Sequence, residues 1–188
     1  MEVLERAQEL ERDGRDIVHL EIGEPDFDTP SNIIEAANRA LHSGKTHYTP
    51  APGIPELRQA IAKYVSNTRG ISVDPAQVVV VPGGKPIMFY AILALIDEGD
   101  EVLYPNPGFP IYESMLRFVG GKAVPTPLRE EKQFGLNVGE LESLVTDRTK
   151  MVIINSPANP TGGVLEAEDI KAIAKLAQER DLIVLADE

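Results

Sequence analysis

Four short stretches of this 188-residue sequence hold residue types whose spacing suits ligand chemistry. In Pro82-Gly83-Gly84-Lys85-Pro86, glycines let a backbone approach an anion closely. Because the first N–H groups of a helix lack internal partners, such a loop ahead of a helix makes a phosphate cradle; a plain strand-to-helix turn has the same composition. Pro105-Asn106-Pro107-Gly108-Phe109-Pro110 is a proline-rigid turn, and Phe109 at its tip either stacks on a planar ligand or plugs the core. In Asn155-Ser156-Pro157-Ala158-Asn159-Pro160-Thr161-Gly162-Gly163, the Asn159 amide either bonds a ligand or caps a turn. Asp187 comes directly after Leu182-Ile183-Val184-Leu185-Ala186. A carboxylate there is costly to bury unless it meets a cation or a donor, and a helix cap is the plainer alternative.

These stretches need elements to hold them. Residues 2–13 read as a helix with Val3, Leu4, Ala7 and Leu10 on one face, and residues 17–22 as a short extended run. Thr29 as capping hydroxyl and Pro30 at the first helical position predict a helix that Gly44 stops. Residues 44–55 are loop, and Leu57, Ile61 and Val65 mark a helix closed by Gly70. From residue 77 the rhythm becomes strand, turn, helix. Strands are predicted at 77–81, 101–105, 122–127, 151–155 and 182–188. Between them lie helices: 87–96, apolar on almost every side; 110–119, with Ile111, Met115 and Phe118 inward; 139–145; and 166–180, with Ile170, Ile173, Ala174 and Ala177 inward. Strands alternating with helices predict an α/β layer fold with a mostly parallel sheet. Ligands then collect at the carboxyl ends of the strands, where all four stretches fall.

Composition narrows the chemistry. Cysteine is absent, which removes thiolate metal sites and cysteine nucleophiles. His19, His42 and His47 stand in no metal-ligand spacing, so no metal is assigned. Thirty acidic residues against 18 basic ones, a formal charge of −12, disfavour nucleic acid as a main ligand. No apolar run reaches the ~18 residues of a membrane span. The reading is a soluble cytoplasmic protein with neither membrane nor nucleic-acid partner. Val79 stands where a Walker A loop has its leading glycine, and GxGxxG is missing, so nucleotide binding is disfavoured as well.

Taken in order, GEPDFDTP (23–30), HYTPAPGIPELRQAIA (47–62), PGGKP (82–86), YPNPGFPIY (104–112), NSPANPTGG (155–163) and ADE (186–188) resemble the class I/II aminotransferases. These are pyridoxal 5'-phosphate enzymes of the aspartate aminotransferase fold type, and the resemblance runs over essentially the whole chain. It implies an amino acid and a 2-oxo acid as substrates and a homodimer in the full-length form. It implies an N-terminal segment associated with the small domain (1–44), followed by the first part of the cofactor-binding large domain (45–188), an incomplete three-layer α/β/α fold with a mostly parallel sheet. Gly84 and Lys85 match backbone donors to the cofactor phosphate. Phe109 matches the aromatic residue that stacks on the pyridine ring, where the aspartate enzymes carry Trp. Asn159 matches the partner of the ring's phenolic oxygen, and Asp187 the carboxylate paired with the pyridine nitrogen. Tyr48 matches a tyrosine that reaches the phosphate of the neighbouring subunit's cofactor, and Gly23 a backbone donor near the substrate carboxylate.

One departure stands out. The family's Schiff-base lysine follows the matched aspartate by some tens of residues, and none of the eight lysines here replaces it. The resemblance therefore implies the front half of an enzyme, truncated, with no catalytic residue of its own and no activity alone. The competing reading is a non-catalytic cofactor-binding or interaction module on the same scaffold.

Overall fold

Strands that are apolar on both faces need cover on both sides, and that requirement organises most of the chain. The structure, a computed structural model, describes residues 2–188. It divides into two units, Met1–Pro50 and Ala51–Glu188.

The first unit holds α1 (Glu2–Arg12) and α2 (Ser31–His42). Pro30, not Thr29, is the N-cap of α2, and no side chain caps it. Gly44 ends the helix as expected, at a φ of 77° that suits glycine. Residues 17–22 form no strand; His19 ties them back to α1, with Nε2 2.8 Å from Glu11 and Nδ1 2.6 Å from Glu21. Glu21 first, and then Glu11, raise the His19 pKa above its ordinary value.

The second unit opens with α3 (Pro55–Arg69), which has proline at its first turn and Gly70 as a left-handed C-cap. The predicted first strand is not a strand. Gln77 belongs to a 3-10 turn, Pro75–Gln77, where Asp74 accepts from Ala76 N–H and Gln77 accepts from Asp74 N–H. Residues 78–81 have no ladder partner among the described residues, and Val79 is 64% exposed. They are pinned at two points: Val80 N–H donates to Pro52 O at 3.0 Å, and Arg58 Nε donates to Val78 O at 2.8 Å.

The sheet comprises β1 (Glu101–Asn106), β2 (Lys122–Pro127), β3 (Thr149–Asn155) and β4 (Ile183–Asp187), all parallel, in the order β2-β1-β3-β4. Alternation along the strands assigns the faces. Val102, Tyr104, Met151 and Ile153 pack with α4 (Gly84–Leu95) and α5 (Ile111–Phe118) through Met88, Ile92, Tyr112 and Leu116. Leu103 and Val152 face the other way, onto Leu141 of α6 (Val138–Leu144) and Ile173 and Leu176 of α7 (Ala167–Arg180). This is the three-layer α/β/α arrangement with a parallel sheet.

Three inward faces differ from the sequence reading. On α4 only the Met88–Ile92 stripe is buried, while Tyr90 and Leu93 stay about half exposed, at 54% and 52%. On α5 the buried residues are Tyr112 and Leu116, with Ile111 and Met115 flanking and Phe118 exposed. On α7 they are Ile173 and Leu176, leaving Ile170 and Ala174 exposed. In each case the buried stripe is narrower than the apolar surface of the helix, and the remaining apolar residues lie outside it. Among the described residues no helix is long and apolar enough to cross a membrane.

The amino ends of the strands are closed by charge. Glu101 is 2% exposed, and its carboxylate accepts from Lys122 Nζ at 2.7 Å, Thr146 Oγ1 at 2.6 Å and Arg148 Nη2 at 3.1 Å. The bond from Lys122, then that from Thr146, holds its carboxyl below the usual carboxylate range. Glu101→Gln should destabilise the protein by about 1–3 kcal/mol, the value of bonds to a charged group. Since the folded pKa is the lowered one, this stability is present above the ordinary carboxylate pKa and lost as pH falls through the folded value. Urea unfolding should separate the two proteins at about pH 7 and bring them together as the pH falls below the usual carboxylate range. A second expectation concerns the open apolar surface of residues 78–81 and α4. The 188-residue polypeptide by itself should self-associate at about micromolar concentration, and a sharp monomer peak in size-exclusion chromatography would contradict it.

Candidate functional site

A parallel sheet brings its carboxyl ends to one edge, and register decides which residues meet there. Asn155 and Asp187, the last residues of β3 and β4, are direct register partners. Asn155 Nδ2 donates to Asp187 O at 2.9 Å, and Asn155 Oδ1 accepts from Asn159 N–H at 2.6 Å. One side chain thus ties the end of β4 to the loop after β3. That loop folds on itself, Ala158 N–H donating to Gly163 O at 2.8 Å and Gly162 N–H to Ala158 O at 2.7 Å. Asn159 is thereby fixed by its backbone while its residue stays exposed.

The loop after β1 arrives from the other side. Its Asn106–Pro107 bond is cis, as are Ser156–Pro157 and Asn159–Pro160 in the loop after β3. Gly108 is required, because a Cβ there would collide with the Pro105 carbonyl oxygen. Phe109 is half-buried against the α4–α5 face of the core, so the plainer of its two readings describes part of its surroundings. Its ring meets that of Tyr112 edge-on, with centroids 6.0 Å apart at 88°. Tyr112 in turn donates its hydroxyl to Asp187 Oδ2. Phe109, Asp187 and Asn159 are therefore joined through two residues that carried no role in the sequence reading, Tyr112 and Asn155. Burial first, and then Asp187, push the Tyr112 phenol pKa far up. The signal for Tyr112 was an amphipathic ring at the start of α5, which needs a partner for its hydroxyl once buried.

Gly83 enters α4 at a φ of 89°, no side chain caps the helix, and a Cβ at Gly84 would meet open space. The N–H groups of Gly84 and Lys85 have no backbone acceptor among the described residues. Met88, one turn further along α4, packs in the same cluster as Tyr112. Free donors at the start of a 12-residue helix suit a phosphate, a carboxylate at a strand end suits a cationic ring nitrogen, and a half-buried ring suits a flat ligand. The donor set fits pyridoxal 5'-phosphate.

Tyr48 and Gly23 lie in the Met1–Pro50 unit, Tyr48 fully exposed and Gly23 in open surroundings. Three of the lysines are held in ion pairs away from these loops. Lys122 and Lys150 pair with Glu101 and Asp100 at the amino ends of the strands, and Lys171 pairs with Glu168 on α7.

Residues 15–188 match the family model described as aminotransferase class I and II. The chain is 46% identical over 183 residues to a probable aspartate/prephenate aminotransferase of Aquifex aeolicus, covering 97% of this chain and 46% of that protein. It is 47% identical over 175 residues to an aspartate aminotransferase of Pyrococcus abyssi, covering 93% and 45% respectively. The structure of Thermus thermophilus aspartate aminotransferase with maleate superposes with a TM-score of 0.96 at 44% identity, covering 99% of this chain and 49% of that one. The chain thus spans about half the length of the relatives it matches.

Because Asn155 serves both Asp187 and Asn159, Asn155→Ala should remove two bonds at one stroke. The expected loss is about 1–3 kcal/mol, read by urea unfolding. An unchanged midpoint would show that the two strand ends are held by other means.

Proposed function

The chain belongs to the class I and II aminotransferase family, and from that footing we propose that it supplies the cofactor-holding half of a transaminase. Members of this family use pyridoxal 5'-phosphate. When bound, that cofactor is the electron sink for the charge left as a substrate Cα–H is lost. The substrates are an amino acid and a 2-oxo acid, and the names of the relatives favour aspartate as the amino donor. One observation carries the proposal: Asp187, Phe109 and Asn159 are gathered at the carboxyl edge of the sheet through Tyr112 and Asn155.

The residues divide the work by chemistry. The N–H groups of Gly84 and Lys85 bind the phosphate, with the α4 dipole adding to them. Phe109 stacks on the ring, and the Asn159 amide bonds its phenolic oxygen. The Asp187 carboxylate holds the proton on the ring nitrogen, a charge-assisted bond at a half-buried site. Gly23 serves the substrate carboxylate. In a homodimer Tyr48 reaches the phosphate held by the partner subunit, with 1–44 a segment associated with the small domain. No lysine of this chain is assigned the uptake and delivery of the substrate proton; Lys122, Lys150 and Lys171 are held in ion pairs. A cytoplasmic location goes with amino-acid metabolism. The lysine assignment is also what favours the alternative, a non-catalytic module; identity of 46% over nearly the whole chain to a named aminotransferase favours the enzyme.

The test is binding and turnover together. Asp187→Ala, in the full polypeptide that carries this chain, should weaken pyridoxal phosphate by about 10–100-fold, the value of a charge-assisted bond. The 188-residue chain alone should not transaminate aspartate faster than free cofactor does, because positioned acid–base groups are worth about 10²–10⁴-fold. Wild-type affinity in the Asp187 variant, or turnover by the isolated chain, would refute the assignment.

A further inference from the structure

Tyr112 is the largest of the fully buried side chains, at 0% exposure, and it sits where a phenylalanine would fill the same volume. A buried hydroxyl is costly unless bonded, and the bond it makes is to Asp187 Oδ2. The ring has little freedom: Leu116 follows it on α5, Phe109 meets it edge-on, and Met88, Val102 and Met151 share its cluster. Asp187 is held from a second direction by its main chain, whose carbonyl accepts from Asn155 Nδ2.

We propose that Tyr112 is a positioning residue for Asp187, engaging one carboxylate oxygen with a fixed neutral donor so that the other is left to pair with a cationic ring nitrogen. The inference rests on the cofactor reading above and deepens it. Two features support it beyond packing. A phenol whose ionisation is pushed far up by burial and by the carboxylate itself remains a donor and does not take the proton's place as an anion. A donor to a carboxylate stabilises its charged form, so the proton shared between Asp187 and the ring nitrogen stays on the nitrogen. The same ring also touches Phe109, so the stacking group and the carboxylate are set by one side chain.

The test uses the full polypeptide that carries this chain, loaded with pyridoxal phosphate labelled with ¹⁵N in the ring, and two substitutions at one position. Tyr112→Phe removes the donor at nearly constant volume; Tyr112→3-fluorotyrosine keeps the hydroxyl and makes it a stronger donor. With phenylalanine the ring ¹⁵N resonance should move toward the unprotonated value and cofactor affinity should fall about tenfold. With 3-fluorotyrosine the resonance should move the opposite way at undiminished affinity. Equal resonances in all three proteins, or the same displacement in both variants, would mean that the ring only fills space and would overturn the proposal. Should the phenylalanine variant fail to fold, the sign of the shift between tyrosine and fluorotyrosine decides alone. A wild type that binds no pyridoxal phosphate overturns the functional reading and the ligand named here. The positioning role is then decided by crystal structures of wild type and Tyr112→Phe, where an unmoved Asp187 carboxylate would refute it.

Discussion

Parallel pairing is the constraint from which the rest of this structure follows. With all strands running one way, backbone direction sorts the side chains into an amino edge and a carboxyl edge. The Asn155–Asp187 register pair then brings the loop after β3 against the end of β4 without any further device. Slipping that register by one residue would turn Asp187 to the opposite face and away from Tyr112. The layers above and below the sheet fix its central register because β1 and β3 bury residues on both faces, Val102 and Met151 on one and Leu103 and Val152 on the other.

How legible this was depended on whether a feature is local. The turn at Phe109 and the loop at Asn159 are written in glycines and prolines, and β2 (Lys122–Pro127) has the bounds the sequence suggests. Helix facing was less legible, because the α5 residues Ile111, Tyr112, Met115 and Leu116 form an apolar surface wider than one stripe. Which of them faces the sheet is set by α4 and β1, not by α5 itself. For the same reason neither Tyr112 nor Asn155 carried an individual role in the sequence. Their partner, Asp187, lies 75 and 32 residues away in the chain.

Residues 78–81 show the limit from the other side. A run of β-branched residues has every local mark of a buried strand, yet strand formation is a property of pairs. Among the described residues nothing pairs with these, and Asp74 and Gln77 close a capping box that claims the first residue of the run. The helix that follows is in the same condition: α4 is apolar almost throughout, but the sheet and α5 cover only the stripe of Met88 and Ile92. Composition reported correctly that this segment seeks contacts on several sides; it had no means of reporting which contacts these 187 described residues provide.

The two edges of the sheet treat a carboxylate in opposite ways, and the contrast bears on what the carboxyl edge is for. At the amino edge Glu101 is saturated, its charge met by Lys122 and Arg148 and its remaining lone pairs by Thr146. Nothing more is asked of it, and its role is to close the sheet. At the carboxyl edge Asp187 is half-buried, yet among the described residues it enters no ion pair. Its side-chain partner is a neutral phenol. A buried charge is normally compensated by an opposite one, and the cation proposed for Asp187 is the protonated ring nitrogen of the cofactor. In that proposal a flat ring with a protonated nitrogen and a phosphate would meet both that carboxylate and the open donors at the start of α4, so the electrostatics of the edge and the geometry of its loops support one and the same ligand.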